Sequence, residues 1–514
     1  MNKKTFYIST PIYYPNGKLH IGHFYTTTIA NTLYNFKKLN GYDCYLVTGI
    51  DEHGQKIQKA AQKANIDTLE FVNQASEQFK DLWNKANLHY DFFSRTTSPK
   101  HILTIQKIFQ KMLEKGYIYL GQYSGLYSIS DEEYLTKTQA IEKDNKYYHP
   151  TSGHELVEIT EETYFFDMKR FNQWIIDFYE NNSKFISSSK VKNELLNNFI
   201  NKGLEDLSVT RISFDWGIQV ACESKFKHVI YVWLDALFNY LTALNYLEED
   251  DSLYQKYWVN GTQRVHIVGK EITRFHCIYW PIFLKSLDIN LPTKILSHGW
   301  IITSEGKMSK SKGNVVDPYK LIETYGAEQT KYFFMSQFSI DNDGVYDEIA
   351  FKNCLNSDLA NNFGNLVNRT SAMINQSFSN GTFYDQDNLE SLDLEVYKNI
   401  EQYFINYQNY FDNFEIDKAL KEAISLSKTL NLYIDKTTPW KLKDNLQRLN
   451  IVLNTLLNGI YAVAVMLSVV LPNNMQKISE FLNIDKLDFN LININNKFDN
   501  KQINVNEILF SRIK

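Results

Sequence analysis

The opening fifty residues constrain the fold more than any other stretch. Phe6–Thr10 is a short apolar run, interrupted by Pro11 and Pro15. A helical segment follows from about Gly22 to Leu39, with Ile29, Leu33 and Phe36 on one side, and Gly41 closes it. Cys44–Thr48 is the next apolar run. Strand, helix and strand in this order read as a βαβ unit, whose strands lie parallel and are joined by a right-handed crossover. Ligands of open parallel sheets sit beyond the carboxyl ends of the strands. Pro11–His23 and Asp51-Glu52-His53-Gly54 therefore mark where chemistry is expected.

At 514 residues the chain exceeds a single core and should divide into domains. Helical spacing at Ile102, Ile105, Phe109 and Met112 stops at Gly116. Residues 117–165 turn rich in Tyr, Ser, Gly and acids in short β-like runs, which marks an insertion. Strand-like runs return at Val229–Trp233, Val265–Val268 and Ile295–Ser297, and from about 350 the pattern is helical. The expected plan is a split Rossmann-like parallel sheet in two halves (1–116 and 229–299) around an inserted connective domain (117–228). A linker (300–350) and an all-α bundle (351–514) follow.

Leu449 to Gln476 carries no charge, and Ile451–Leu471 has the length of a bilayer span. Asn450, Asn454 and Asn458 recur at helical spacing there, so the segment reads as a core helix ending at Pro472 rather than a span. Lys3 and Lys4 precede only Thr-Phe-Tyr-Ile-Ser-Thr, too short and polar for a secretory segment. Cys44, Cys222, Cys277 and Cys354 are scattered, which argues against a disulfide framework and suits a reducing cytoplasm. The net charge of −5 is not that of a generally basic nucleic-acid binder, though a local basic face is compatible with it.

Two motifs point to phosphate chemistry. His20-Ile21-Gly22-His23 begins a helix just after a strand, where the helix terminus favours negative charge and glycine admits a close ligand. Ser304-Glu305-Gly306-Lys307-Met308-Ser309-Lys310-Ser311-Lys312-Gly313-Asn314 is a glycine-flanked loop whose lysines and serines offer donors to a leaving pyrophosphate. Alone, the first also admits one histidine capping the helix with the other on the surface, and the second a solvated charged loop. In this order on an α/β core they fit the activation of a carboxylate by ATP, which needs charge neutralisation and in-line positioning.

With these motifs the sequence resembles the class I aminoacyl-tRNA synthetases, and within them the methionyl-tRNA synthetase family. The similarity lies in Thr10-Pro-Ile-Tyr-Tyr-Pro-Asn-Gly-Lys-Leu-His-Ile-Gly-His23, Thr48-Gly-Ile-Asp-Glu-His-Gly54, Tyr231-Val-Trp-Leu-Asp-Ala236, His298-Gly-Trp300 with the lysine loop, and the closing Leu509-Phe-Ser-Arg-Ile513. The resemblance implies an enzyme that forms methionyl-adenylate from L-methionine and ATP with Mg²⁺ and transfers it to tRNA(Met). It implies catalytic roles for His20, His23, Lys307 and Lys310, with Gly22, Gly269 and Glu271 also at the ATP. Glu271 stands where the family usually has aspartate. Ile12, Tyr14, Asp51, Trp233, Tyr240 and His276 would hold methionine, with Asp51 on its ammonium. Asn365, Arg369 and Trp440 would read the anticodon.

Many relatives carry cysteine zinc knuckles in the insertion. This chain has Tyr127-Ser-Ile-Ser-Asp-Glu132 and His149-Pro-Thr-Ser-Gly-His154 there, so no structural zinc is expected, and His149 and His154 read as surface loop residues. No dimerising domain follows the bundle, which predicts a monomer. A leucine, isoleucine or valine enzyme would need a larger editing insertion, and a cysteine enzyme a thiol-reading zinc. A small nucleotidyltransferase would lack the helical domain. A scaffold descended from a synthetase would be expected to have lost one of the histidines or lysines.

Overall fold

The structure is a computed structural model that describes residues 3–15, 17–131, 133–135, 137, 139–221, 225–306, 315–504 and 507–513. The chain forms two compact units, one of residues 1–19, 43–84 and 89–298, the other of 20–42, 85–88 and 299–514.

The first unit is built on β1 (Thr5–Tyr13), β2 (Asp43–Ile50) and β3 (Phe92–Arg95), joined by two strands from later in the chain. Between them come helix α1 (Ile21–Leu39), which belongs to the other unit, and helix α2 (Pro99–Glu114). The inserted hairpin is β4 (Ile118–Ser128) and β5 (Glu155–Phe166); helix α3 (Val232–Leu237), β6 (Gln263–Gly269) and β7 (Lys294–His298) complete the unit's frame. The five-stranded sheet has the order β7-β6-β1-β2-β3, all neighbours parallel. Chain order reverses between β1 and β6, the switch point at which such sheets bind ligands. Phe6, Tyr7 and Ile8 are fully buried, as a central parallel strand requires.

Two sequence readings shift. β1 continues past Pro11 to Tyr13, because the register with β2 is irregular between Ser9 and Ile12 and the proline falls in that irregularity. Val229–Trp233 is not one strand. Val229–Ile230 pairs antiparallel with Thr210–Arg211, and extended Tyr231 (φ −61, ψ 134) then opens α3. A short, fully buried apolar run carries no periodicity to separate the two states.

In the insertion, β4 and β5 pair antiparallel from Ile118↔Phe166 to Tyr127↔Val157. At their far end Asp131 accepts hydrogen bonds from Ser128 Oγ (2.5 Å), Ser152 Oγ (2.7 Å) and His154 Nδ1 (3.0 Å). His149 is buried rather than on the surface, because its Nδ1 accepts the Thr151 and Ser152 amides (3.2 and 3.1 Å) and stitches the turn. Among the described residues, no group of three His, Cys, Asp or Glu is arranged to hold a metal.

The second unit ends in helices α4 (Asn365–Ser377), α5 (Ser391–Asp412), α6 (Ile416–Thr437), α7 (Leu446–Leu467) and α8 (Pro472–Phe481). α7 stops at Leu467, short of the expected end, and Pro472 instead opens α8, a position where its missing N–H costs nothing. The carboxylate of Glu328 caps α8 by accepting the Asn473 and Asn474 amides (2.7 and 2.9 Å). α7 is apolar and long enough to span a bilayer, yet its residues from Leu449 to Leu467 are buried in the unit. Its asparagines face protein: Asn450 brackets the backbone of Phe383, Asn454 donates to Thr382 Oγ1, and Asn458 donates to the Asn495 carbonyl. α1 joins this unit through Phe36 stacked on Phe411 (4.3 Å) and the Lys37–Asp412 ion pair (2.8 Å).

Candidate active site

The expected methionine residues all fall in the first unit, in two groups. One lies along the ends of β1 and β2. Ile12 pairs with Gly49 across the sheet, and the Asp51 amide donates to the Tyr13 carbonyl (2.9 Å). The Tyr14 hydroxyl donates to the His53 carbonyl (3.3 Å). Asp51 is buried at the strand end where a carboxylate can meet an ammonium.

The loop bearing Asp51 is fastened on every side. Glu52, fully buried, accepts Arg95 Nε (2.7 Å), the Thr97 amide (3.0 Å) and the Thr97 hydroxyl (2.6 Å). Trp216 Nε1 donates to the Glu52 carbonyl (2.6 Å), and the Gly54 amide donates to the Trp216 carbonyl (3.1 Å). His53 Nδ1 binds Asp235 Oδ2 (2.6 Å).

The second group forms an aromatic floor. Trp233 lies flat on Phe275 (3.7 Å, 8°) and meets the His276 ring edge-on at 6.1 Å. His276 Nδ1 lies 3.0 Å from the Ile272 carbonyl, which fixes the proton there, so Nε2 accepts from the Tyr240 hydroxyl at 2.7 Å. Burial holds the His276 imidazole down at about 4, so it stays neutral at physiological pH. Burial, more than any other influence, pushes the Tyr240 phenol well above its ordinary value, and the nearby Asp51 carboxylate pushes the same way. Tyr240 stacks on His266 (4.1 Å), itself held between Ser9 Oγ (2.7 Å) and Trp280 Nε1 (3.2 Å). The result is an uncharged cage with one oriented polar pair.

Gly269 ends β6, and Glu271 folds back over it: a Cβ at 269 would lie 2.4 Å from Glu271 Oε1. The exposed carboxylate thus stands at the end of the strand beside the switch point.

In the second unit His20 and His23 cap α1 reciprocally. His20 Nδ1 accepts the Gly22 amide (3.0 Å), His23 Nδ1 accepts the His20 amide (3.2 Å), and the rings stack at 3.9 Å. Each neutral ring therefore carries its proton on Nε2, a donor suited to phosphate oxygen. Gly22 is obligatory for this geometry, since a Cβ would lie 2.8 Å from His20 Cε1. The Ile21 amide, also in the first turn, donates to the Val316 carbonyl (3.2 Å), just beyond the lysine loop. Gly306, with φ +94, turns the chain into that loop. Lys307 and Lys310 lie outside the described residues.

Arg369 and Trp440 come together, the guanidinium 5.9 Å from the indole centroid and 3.6 Å from Asp435. Asn365 is exposed one turn before Arg369 on α4. Thr438, in the left-handed region at φ 43, swings Pro439 and Trp440 off the end of α6.

Glu52, His53, His101, Trp216, Asp235 and Phe275 were absent from the sequence-derived site. His53 and Asp235 stood inside the quoted motifs, but nothing linear shows that residues 182 apart share a bond.

An open parallel sheet whose first strand leads to paired, helix-capping histidines, with a helical bundle at the end of the chain, defines a class I aminoacyl-tRNA synthetase. Residues 6–371 match the family described as tRNA synthetases class I (M), and residues 386–514 match the anticodon binding domain of methionyl tRNA ligase. A methionine–tRNA ligase of Mycoplasmopsis pulmonis (strain UAB CTIP) is 53% identical over 516 residues, covering 100% of both chains. That of Bacillus subtilis (strain 168) is 45% identical over 490 residues, 93% of this chain and 73% of the relative. Mycobacterium tuberculosis methionyl-tRNA synthetase in complex with methionyl-adenylate superimposes with TM-score 0.93 at 31% identity, covering 99% and 100% of the chains. The chain belongs to the methionine–tRNA ligases.

Proposed function

We propose a division of labour for the methionine–tRNA ligase reaction in this chain. Methionine's carboxylate attacks the α-phosphorus of ATP in line, giving methionyl-adenylate and pyrophosphate, and the terminal ribose hydroxyl of tRNA(Met) then displaces AMP. Asp51 holds the ammonium, and Ile12, Tyr14, Trp233, Tyr240 and His276 enclose the side chain. The Tyr240–His276 bond carries this reading: it sets one neutral polar pair in an aromatic cage. A polarizable thioether suits such a cage, and a charged side chain would be desolvated without a partner.

His20, His23, Lys307 and Lys310 share the charge on the phosphates, with Gly22 and Gly269 admitting the nucleotide and Glu271 at the ribose. Mg²⁺ arrives with ATP as part of the substrate, in keeping with an ion usually held through phosphates and few protein groups. Asn365, Arg369 and Trp440 read the anticodon. The domain plan reads as catalytic halves (1–116, 229–299), connective insertion, lysine-loop linker and anticodon bundle. The enzyme works as a zinc-free monomer in the cytoplasm. The scatter of Cys44, Cys222, Cys277 and Cys354 along the sequence supports the reducing compartment.

Methionine-dependent exchange of pyrophosphate into ATP tests the assignment. His23→Ala and Lys310→Ala should each lower kcat about 10²- to 10³-fold, the usual loss when one transition-state charge donor is removed. Better exchange with leucine or cysteine would sink the specificity. Metal analysis and sedimentation of the purified protein test the zinc-free and monomeric parts.

A further inference from the structure

Asp235 follows Trp233 by two residues on α3 and is fully buried. Its two oxygens are divided between imidazoles from different segments: His53 Nδ1 on Oδ2 (2.6 Å) and His101 Nε2, from α2, on Oδ1 (2.7 Å). His101 Nδ1 continues to Thr242 Oγ1 (2.8 Å), and that hydroxyl also reaches the Asn239 carbonyl (3.2 Å). Burial opposes ionisation of this carboxyl most strongly. The electrostatic pull of the His53 ring and the bonds from both rings nevertheless hold it below its usual value.

Stability alone is a weak reason for such a network, because buried ionic groups can often be replaced by apolar ones of equal volume without loss. What apolar packing does not supply is direction. The His53 bond runs from the Asp51 loop, which Arg95, Thr97 and Trp216 already fasten to the sheet side, across to the helix that carries Trp233. Methionine bound as assigned above would touch both, and an error of about 1 Å in their spacing is costly to reactions that depend on orientation.

We propose that Asp235 is a positioning residue that clamps the Asp51 loop to the Trp233 helix, setting the distance between the ammonium site and the side-chain pocket. The proposal rests on the assignment of Asp51 and Trp233 to methionine.

The test is a double-mutant cycle in pyrophosphate exchange. Asp51→Asn and Trp233→Phe are combined with Asp235 in place and again with Asp235→Asn, which keeps the volume but cannot accept from both rings. With Asp235 present, the effects on methionine kcat/KM should depart from their product by about tenfold; with Asn they should multiply to within about twofold. Asp235→Asn alone should raise the methionine KM about tenfold and move the ATP KM less than about twofold. If Asp235→Asn does not fold, His53→Gln cuts the loop side while leaving the Asp235–His101 bond, and should abolish the coupling equally. Effects that multiply with Asp235 intact, or coupling that survives both variants, overturn the clamp. If Asp51→Asn and Trp233→Phe each leave the methionine KM unchanged, the site assignment itself falls and takes the clamp with it. That outcome is distinct from strong single effects without coupling.

Discussion

The cage at Trp233, Tyr240 and His276 and the patch at Arg369 and Trp440 use similar chemistry in opposite settings. Each joins an aromatic face to a polar partner. In the cage Tyr240 and His276 are 1% and 2% exposed, and every ring leans on another ring. In the patch Trp440 is 46% exposed and Arg369 is half-buried between the indole and Asp435. Burial turns a hydrogen bond of modest net worth into a fixed geometry, because leaving either partner unsatisfied costs the full desolvation penalty. Exposure leaves the indole face available to a splayed base, at the cost of a loosely defined geometry. A small ligand with little to grip suits the first design, and single-stranded RNA the second.

Mutation can break this contrast, and the largest effect should come from the buried side. Asp51→Ala leaves a bound ammonium without its carboxylate and should cost about 4 kcal/mol, roughly a thousandfold in methionine kcat/KM. Steady-state exchange kinetics would show it, and a loss below tenfold would remove Asp51 from the ammonium role.

The next effect is on stability against pH. His276 titrates at about 4 in the folded chain against an ordinary 6.5, so the unfolded chain binds more protons between those values. The stability tied to its neutral form is complete above pH 6.5 and is lost as pH falls towards 4, about 3 kcal/mol in all. Denaturant unfolding of His276→Gln across that window should show a shallower pH dependence than the parent. Equal slopes would mean that His276 is not buried neutral.

On the exposed side, Trp440→Ala should weaken tRNA charging by about 2 kcal/mol, the range of one base–aromatic stack, while exchange stays intact. Matched losses in both assays would show that Trp440 acts on the fold rather than on tRNA. The smallest expected effect is Arg369→Ala, about 0.5–1 kcal/mol in charging, since a half-exposed cation over an indole is worth little more. A loss equal to that of Trp440→Ala would mean that Arg369 touches the RNA itself.

Much of the site was legible because its residues are consecutive. His20, Gly22 and His23 share one helix start, and their spacing alone places two rings together. The parallel sheet was legible from Phe6–Thr10, Cys44–Thr48, Val265–Val268 and Ile295–Ser297, buried strands with no polar alternation. Val229–Trp233 misled because a strand and a buried helix look alike over five apolar residues. His149 misled because its burial depends on two amides that its own turn presents to Nδ1.

The sequence by itself determined the α/β class, a histidine pair at a helix start and the residue types that could surround a thioether. All of these follow from local spacing and side-chain chemistry. Only the tertiary structure decided that His53 and His101 converge on one buried carboxylate, that Glu52 locks the loop beside Asp51, and that Asn450 and Asn458 of α7 fasten backbone instead of facing water. Those choices depend on pairs separated by tens to hundreds of residues. Such pairs form only where burial makes an unpaired polar group more costly than the ordering needed to satisfy it.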